Sequence, residues 1–156
     1  MKTIVIENLE QMERFAADVA SHLNAGSILA LSGDLGAGKT TFTKYLAKAL
    51  GIKRTVNSPT FTIMKSYKYP AMGDREAGIL QHIDAYRLEG SEEELGLDEG
   101  FENGISVIEW PQYLPDLERQ DALYMEITRP ESGSEQERKI VLEASGPLSR
   151  KLEELL

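Results

Sequence analysis

Eight residues, Gly33-Asp34-Leu35-Gly36-Ala37-Gly38-Lys39-Thr40, constrain this chain more than any others. They stand between a short apolar run, Ser27 to Ser32, and an amphipathic segment, Lys39 to Leu50. A run that short and that apolar is expected of a parallel strand buried on both faces. In the segment after the loop, Phe42, Tyr45, Leu46, Ala49 and Leu50 share one side of a helix, and Gly51 is its C-cap. Strand, glycine loop and helix in immediate succession are the setting of a phosphate-binding loop. Glycines let backbone N–H groups turn inward and approach a polyanion without side-chain obstruction. The helix start adds the positive end of its dipole. In such a loop Lys39 reaches the β- and γ-phosphates as a point charge. The Thr40 hydroxyl ligates magnesium, and Thr41 donates to the α-phosphate. Gly33, Gly36, Ala37, Gly38, Lys39, Thr40 and Thr41 are therefore candidate nucleotide-binding residues.

The remaining segments predict an α/β sheet with central parallel strands and antiparallel additions. Thr3 to Glu7 alternates and reads as a strand. Asn8 follows as N-cap, with Gln11 three positions on, and a helix runs to about Asn24 before Gly26. Phe61 to Tyr69 and Leu80 to Ala85 read as a hairpin around the polar turn Pro70 to Gly78. Ser91 to Leu95 starts a short acidic helix. Ile105 to Ile108 is a second buried strand. Leu123 to Thr128 and Lys139 to Ala144 form another antiparallel pair. Pro147 to Leu156 is a helix with Leu148, Leu152, Leu155 and Leu156 on one face. Little helix follows Leu50, which predicts a sheet only partly covered. The 156 residues suit a single domain, 1–156, with no internal repeat or linker.

Composition limits the partners. Net charge is −9, and nucleic-acid binding draws on Lys and Arg to neutralise phosphates. Contact with RNA is therefore expected to be indirect. Lys53, Arg54, Lys65 and Lys68 are close in sequence and have two readings, a local basic patch and the favoured one, a solvated rim. No apolar run approaches the roughly 18 residues of a membrane span, so no membrane association is expected. There are no cysteines, hence no disulfide or thiolate site, which fits a reducing compartment. A cytoplasmic location is the expectation.

A phosphate-binding loop of this kind also needs a carboxylate near magnesium, at the end of a neighbouring strand. Asp84 and Glu109 both end such strands, and ligands in open α/β sheets bind beyond the strands' carboxyl ends. Both are candidate catalytic acids beside Lys39, with Glu109 favoured for magnesium. Thr60, in the Pro-anchored loop Asn57 to Thr62, has two readings: a γ-phosphate sensor that orders the loop, or part of an ordinary turn. His82 has a reading as a ligand or base, but His22 and His82 are isolated and the structural reading is favoured for both, with no metal-ligand spacing. Trp110, the sole tryptophan, reads as core or as a neighbour of a nucleotide base.

Four motifs taken together resemble one family. Gly-Asp-Leu-Gly-Ala-Gly-Lys-Thr-Thr-Phe (33–42), Asn-Ser-Pro-Thr-Phe-Thr (57–62), His-Ile-Asp-Ala-Tyr-Arg (82–87) and Ile-Glu-Trp-Pro (108–111) occur in the order and spacing of the bacterial ATPase family TsaE. The resemblance spans about Thr3 to Ala144. It implies ATP and Mg2+ as cofactors. It also implies a role in threonylcarbamoyl modification of adenosine 37 in tRNAs reading ANN codons, as an accessory to the TsaB–TsaD transferase pair. It puts Lys39, Thr40 and Thr41 on the P-loop functional positions, and Asp84 and Glu109 on the functional acids, Glu109 on the magnesium position. It puts Thr60 in the switch-like loop and Trp110 on the tryptophan near nucleotide. Three positions stand apart. Ala85 replaces the usual Leu, a difference of packing. Met12 stands where many members carry a Thr in the first helix, on the side implied to line the base pocket. Arg138 matches a recurring arginine to which no role is carried over.

Two other classes compete with an accessory ATPase. A small P-loop kinase needs an acceptor pocket, commonly under a helical lid with arginines, but residues 85–104 are acidic with Arg87 as sole basic residue. A non-hydrolysing nucleotide-dependent interaction module would leave Asp84 and Glu109 without a task.

Overall fold

In the computed structural model the described residues are 1–34, 36–57, 59, 64–88, 100–114, 116–131 and 133–156, and nothing is said of the Arg87 side chain. Strands β1 (Lys2–Ile6), β2 (Ile28–Ser32), β3 (Met64–Tyr69), β4 (Gly78–Asp84), β5 (Ile105–Glu109), β6 (Leu123–Thr128) and β7 (Arg138–Ala144) make one sheet in the order β1-β7-β6-β2-β5-β4-β3. The strands β6, β2, β5 and β4 run parallel in its middle. The antiparallel strands β7 and β1 extend one side, and β3 closes the other. This is the mixed sheet expected from the sequence, with β2 at its centre.

Helix α1 (Leu9–Ser21) starts where the sequence places it, with the Asn8 carboxamide accepting from the Gln11 N–H at 2.9 Å. It ends earlier than Asn24, because the His22 and Leu23 amides bond three residues back, to Val19 and Ala20, and tighten the last turn. Helix α2 (Lys39–Ala49) closes on a Schellman arrangement. Gly51 has φ of +90°, its N–H bonds the Lys48 carbonyl, and that of Ile52 bonds Ala47.

The sequence of β2 explains how the layers form. Leu29 and Leu31 face a core shared with Phe15 and Val19 of α1 and Phe42 and Leu46 of α2. Ile28 and Ala30 face a second, smaller core with Ile83, Ala85, Phe101, Leu114 and Leu117. Among the described residues, the second face is covered by short 3-10 turns at Phe101–Asn103, Pro111–Tyr113 and Leu117–Arg119. Ala85 is fully buried there, as its reading as a packing position implies. Met12 is buried in the first core.

Helix α3 (Pro147–Leu155) corrects one expectation. Leu148 and Leu155 are exposed, while Ser149 and Leu152 are buried and Leu156 packs against the core. Capping sets this rotation. The Asp121 carboxylate accepts from the Leu148 N–H at 2.7 Å and the Ser149 N–H at 2.9 Å. The Ser149 hydroxyl accepts from the amides of Ser145 and Gly146. Turning Ser149 inward to satisfy those donors turns Leu148 out. The acidic helix expected at Ser91–Leu95 lies outside the described residues.

Candidate functional site

The carboxyl ends of the parallel strands meet the glycine loop in a cleft of about 460 Å³. Gly36, Gly38, Lys39, Thr40 and Thr41 form one wall. Asp84, Tyr86, Glu109 and Trp110 form the other, with Arg138 at the border. Sheet order creates this meeting. β2 lies beside β5, and β4 lies beside β5 with Asp84 opposite Glu109 in register. Two acids 25 residues apart in sequence therefore end adjacent strands next to the loop that leaves β2.

The glycines have different tasks. Gly38 sits at the N-cap of α2 with φ of +114°, and Gly36 has φ of +80° with open space where a Cβ would project. Both conformations are strained for any other residue. Gly33 has φ of +144° and packs on β6, where a Cβ would collide with the Ile127 carbonyl oxygen. It serves close packing of loop against sheet rather than lining the cleft. Ala37 is buried, and its carbonyl accepts from Arg138 Nε at 2.7 Å.

Lys39 is 5 % exposed, and its Nζ has no hydrogen-bond partner among the described residues. Nζ lies 4.0 Å from the Trp110 ring centroid, a cation–π contact that offsets part of its desolvation. Burial pushes the ammonium below its ordinary value, and the Glu109, Asp84 and Asp34 carboxylates oppose that shift. A buried ammonium without acceptors is a costly arrangement. Phosphate oxygens would satisfy it.

Trp110 adopts the left-handed conformation, φ 55° and ψ 54°, immediately before Pro111. A bulky residue held there is an outlier that the surroundings must enforce. The chain turns sharply off β5 at this point, and the indole comes over Lys39. Tyr86 and Tyr113 pack on it with ring centroids 5.2 and 6.3 Å away.

Both acids are nearly buried. One Asp84 oxygen accepts from the Tyr86 N–H at 3.0 Å. One Glu109 oxygen, Oε2, accepts from His82 Nε2 at 2.9 Å. The structural reading of His82 therefore needs extending. It is fully buried and touches a candidate catalytic acid. The sequence held one signal for it, since His82 and Asp84 are two residues apart on a strand and so share a face. Thr60 lies outside the described residues.

Among the described residues no three His, Asp or Glu side chains gather as a cation cage. Magnesium does not require one, because it keeps several waters and takes one or two protein ligands beside phosphate oxygens. The Thr40 hydroxyl and Glu109 carboxylate are hard oxygen donors of the kind it prefers, both on the cleft wall.

A central parallel sheet whose middle strand leads through a glycine loop into a helix defines a P-loop-like α/β protein. Comparison with known proteins is more specific. The sequence model described as "Threonylcarbamoyl adenosine biosynthesis protein TsaE" matches residues 6–140. The chain is 42% identical over 140 residues to the tRNA threonylcarbamoyladenosine biosynthesis protein TsaE of Bacillus subtilis, covering 89% of this chain and 83% of that one. It is 39% identical over 121 residues to the Streptomyces coelicolor protein of the same name, covering 76% and 79%. A crystal structure of Bacillus subtilis YdiB matches with a TM-score of 0.74 at 37% identity, covering 99% of this chain and 93% of that one. The chain belongs to the TsaE family of threonylcarbamoyladenosine biosynthesis proteins.

Proposed function

We propose that this protein is a magnesium-dependent P-loop ATPase. It acts as a nucleotide-driven accessory to the TsaB–TsaD transferase pair in threonylcarbamoyl modification of adenosine 37 in tRNAs that read ANN codons. The observation that carries the ATPase reading is Lys39, a buried ammonium with no hydrogen-bond acceptor among the described residues, facing two buried carboxylates across a glycine-lined cleft.

ATP binds with its phosphates in the loop, where the amides of residues 36–39 and the start of α2 point positive charge at them. Lys39 leaves an unsatisfied environment for the β- and γ-phosphate oxygens. Thr40 and Glu109 would hold Mg2+, which when bound neutralises charge on the β- and γ-phosphates. Water forms a bond to the γ-phosphorus as the bond to the β–γ bridging oxygen breaks, giving ADP and phosphate. The attacking water loses a proton, and with Glu109 on magnesium Asp84 is the neighbouring carboxylate to take it. Trp110 covers Lys39 and helps exclude bulk water, which strengthens each charge interaction in the cleft.

The accessory role rests on family membership and on charge. A chain of net charge −9 is a poor match for a phosphate backbone, so contact with tRNA runs through the transferase pair. The test is ATP hydrolysis by the chain alone and with the TsaB–TsaD pair, with candidate phosphate acceptors run alongside. Phosphate release that needs no acceptor, together with nucleotide-dependent association with the pair, supports the reading. Transfer to an added acceptor would make the protein a kinase instead.

A further inference from the structure

We propose that Arg138 is a positioning residue of the phosphate cradle. It fixes the Ala37–Gly38 peptide so that the Gly38 N–H faces the phosphates before nucleotide arrives. This rests on the reading of the cleft as a nucleotide site.

Arg138 opens β7, which runs antiparallel to β6. Its first residues therefore lie at the sheet end where the parallel strands finish and the glycine loop begins. From there Nε donates to the Ala37 carbonyl at 2.7 Å, across 101 residues of sequence. Nη1 donates to the carbonyls of Glu135 at 2.6 Å and Glu137 at 2.8 Å. The planar guanidinium is thus anchored by its own turn and presents Nε in a fixed direction.

The Ala37–Gly38 peptide is trans. A trans peptide points its C=O and its N–H to opposite sides. Holding the Ala37 carbonyl against Arg138 therefore aims the Gly38 N–H the other way. Without that hold, the peptide between Ala37 and a glycine at φ of +114° can rotate. A rotated peptide would turn a carbonyl oxygen, with its partial negative charge, toward the phosphates. Arg138 removes that alternative from the free protein, so less ordering is left for nucleotide to impose. The guanidinium also lies beside Gly38, since a Cβ built there would stand 3.7 Å from Nε, an ordinary van der Waals contact.

The chemistry of side chains separates this role from a plain charge contact with phosphate. In Gln the amide nitrogen stands at the same bond distance from Cα as Nε in Arg, so Arg138→Gln keeps the donor and loses the charge. Arg138→Lys keeps the charge and puts a methylene at that place. Nucleotide titration and steady-state hydrolysis are measured on the full chain for wild type, Arg138→Ala, Arg138→Gln and Arg138→Lys, with thermal melting alongside. For Arg138→Ala the dissociation constants of ADP and ATP and the KM rise about tenfold, the scale of one lost interaction. Its kcat at saturating ATP changes less than about threefold. Arg138→Gln recovers most of the affinity and Arg138→Lys little. Unchanged affinity in Arg138→Ala, or recovery by Lys but not by Gln, overturns the proposal. If Arg138→Ala does not fold, the Gln and Lys variants decide the matter by the same comparison. Failure of the wild type to bind ADP or ATP would instead overturn the nucleotide reading of the cleft.

Discussion

His82 Nε2 donates to Glu109 Oε2 at 2.9 Å, with Glu109 on the cleft wall and His82 fully buried, without exposed surface. The imidazole fixes one oxygen of the carboxylate and hence the direction of the other. His82→Leu removes the donor and leaves that oxygen unpaired in a buried place, at a cost of about 1–3 kcal/mol in stability. We expect a lower melting temperature and a kcat about tenfold lower, with ATP affinity affected less. Denaturant unfolding and single-turnover hydrolysis measure the two effects. His82→Gln, which retains an N–H donor, recovers part of the rate. A Leu variant with wild-type stability and rate would show the contact to be idle.

The roles proposed for the two acids differ in weight. Glu109→Gln keeps size and removes charge, so its effect is greatest where charge develops in the transition state. We expect kcat to fall on the order of a hundredfold or more while the ATP dissociation constant moves only a few-fold. Asp84→Asn gives the comparison. If it alone stops turnover and Glu109→Gln does not, the proton acceptor dominates and the assignment of greater weight to Glu109 is reversed.

Lys39 predicts a dependence on pH. Burial holds its pKa below 10.5 in the free protein. Between the lowered value and 10.5 the unfolded chain binds more protons than the folded one, so this group makes the free protein more stable as pH rises through that window. Phosphate prefers the ammonium form, so nucleotide affinity runs the other way and falls as pH rises past the lowered value. Titration with ATP from about pH 7 to about pH 10 at fixed ionic strength should show the loss in wild type. Lys39→Arg, which stays charged throughout, should lower affinity overall but flatten the alkaline loss. A wild-type affinity independent of pH would contradict this account of Lys39.

Thr60 offers a prediction at the level of partners. If γ-phosphate orders the loop Asn57 to Thr62 and the TsaB–TsaD pair favours the ordered state, Thr60→Ala weakens ATP-dependent association and largely spares ADP binding. The pair is titrated with ATP-bound, ADP-bound and nucleotide-free protein. Equal affinity in all three states would remove the nucleotide-gated interface.

Local signals were the legible ones. Asn8 and Gln11 announced the start of α1, Gly51 its counterpart at the end of α2, and the glycine loop announced the junction of β2 with α2. Strand ends could be read well enough to single out Asp84 and Glu109. What periodicity could not supply was sheet order, and with it the contacts made across the sheet. The burial of His82 depends on β4 lying beside β5, and the reach of Arg138 to Ala37 depends on β7 lying beside β6. The left-handed turn at Trp110 was equally hidden, because a bulky residue before proline carries no local preference for it. In α3 the leucine spacing misled, since the polar cap at Asp121 and Ser149 decides which side faces inward.

The most direct test is ATP binding and hydrolysis by wild type and Lys39→Ala, measured on the same preparations with Mg2+. The buried Lys39 ammonium, with no acceptor among the described residues, predicts that wild type binds ATP and releases phosphate. It also predicts that Lys39→Ala loses turnover by about a hundredfold or more and binds ATP more weakly, while remaining folded. A Lys39→Ala protein with wild-type affinity and rate would contradict the assignment of this cleft to ATP.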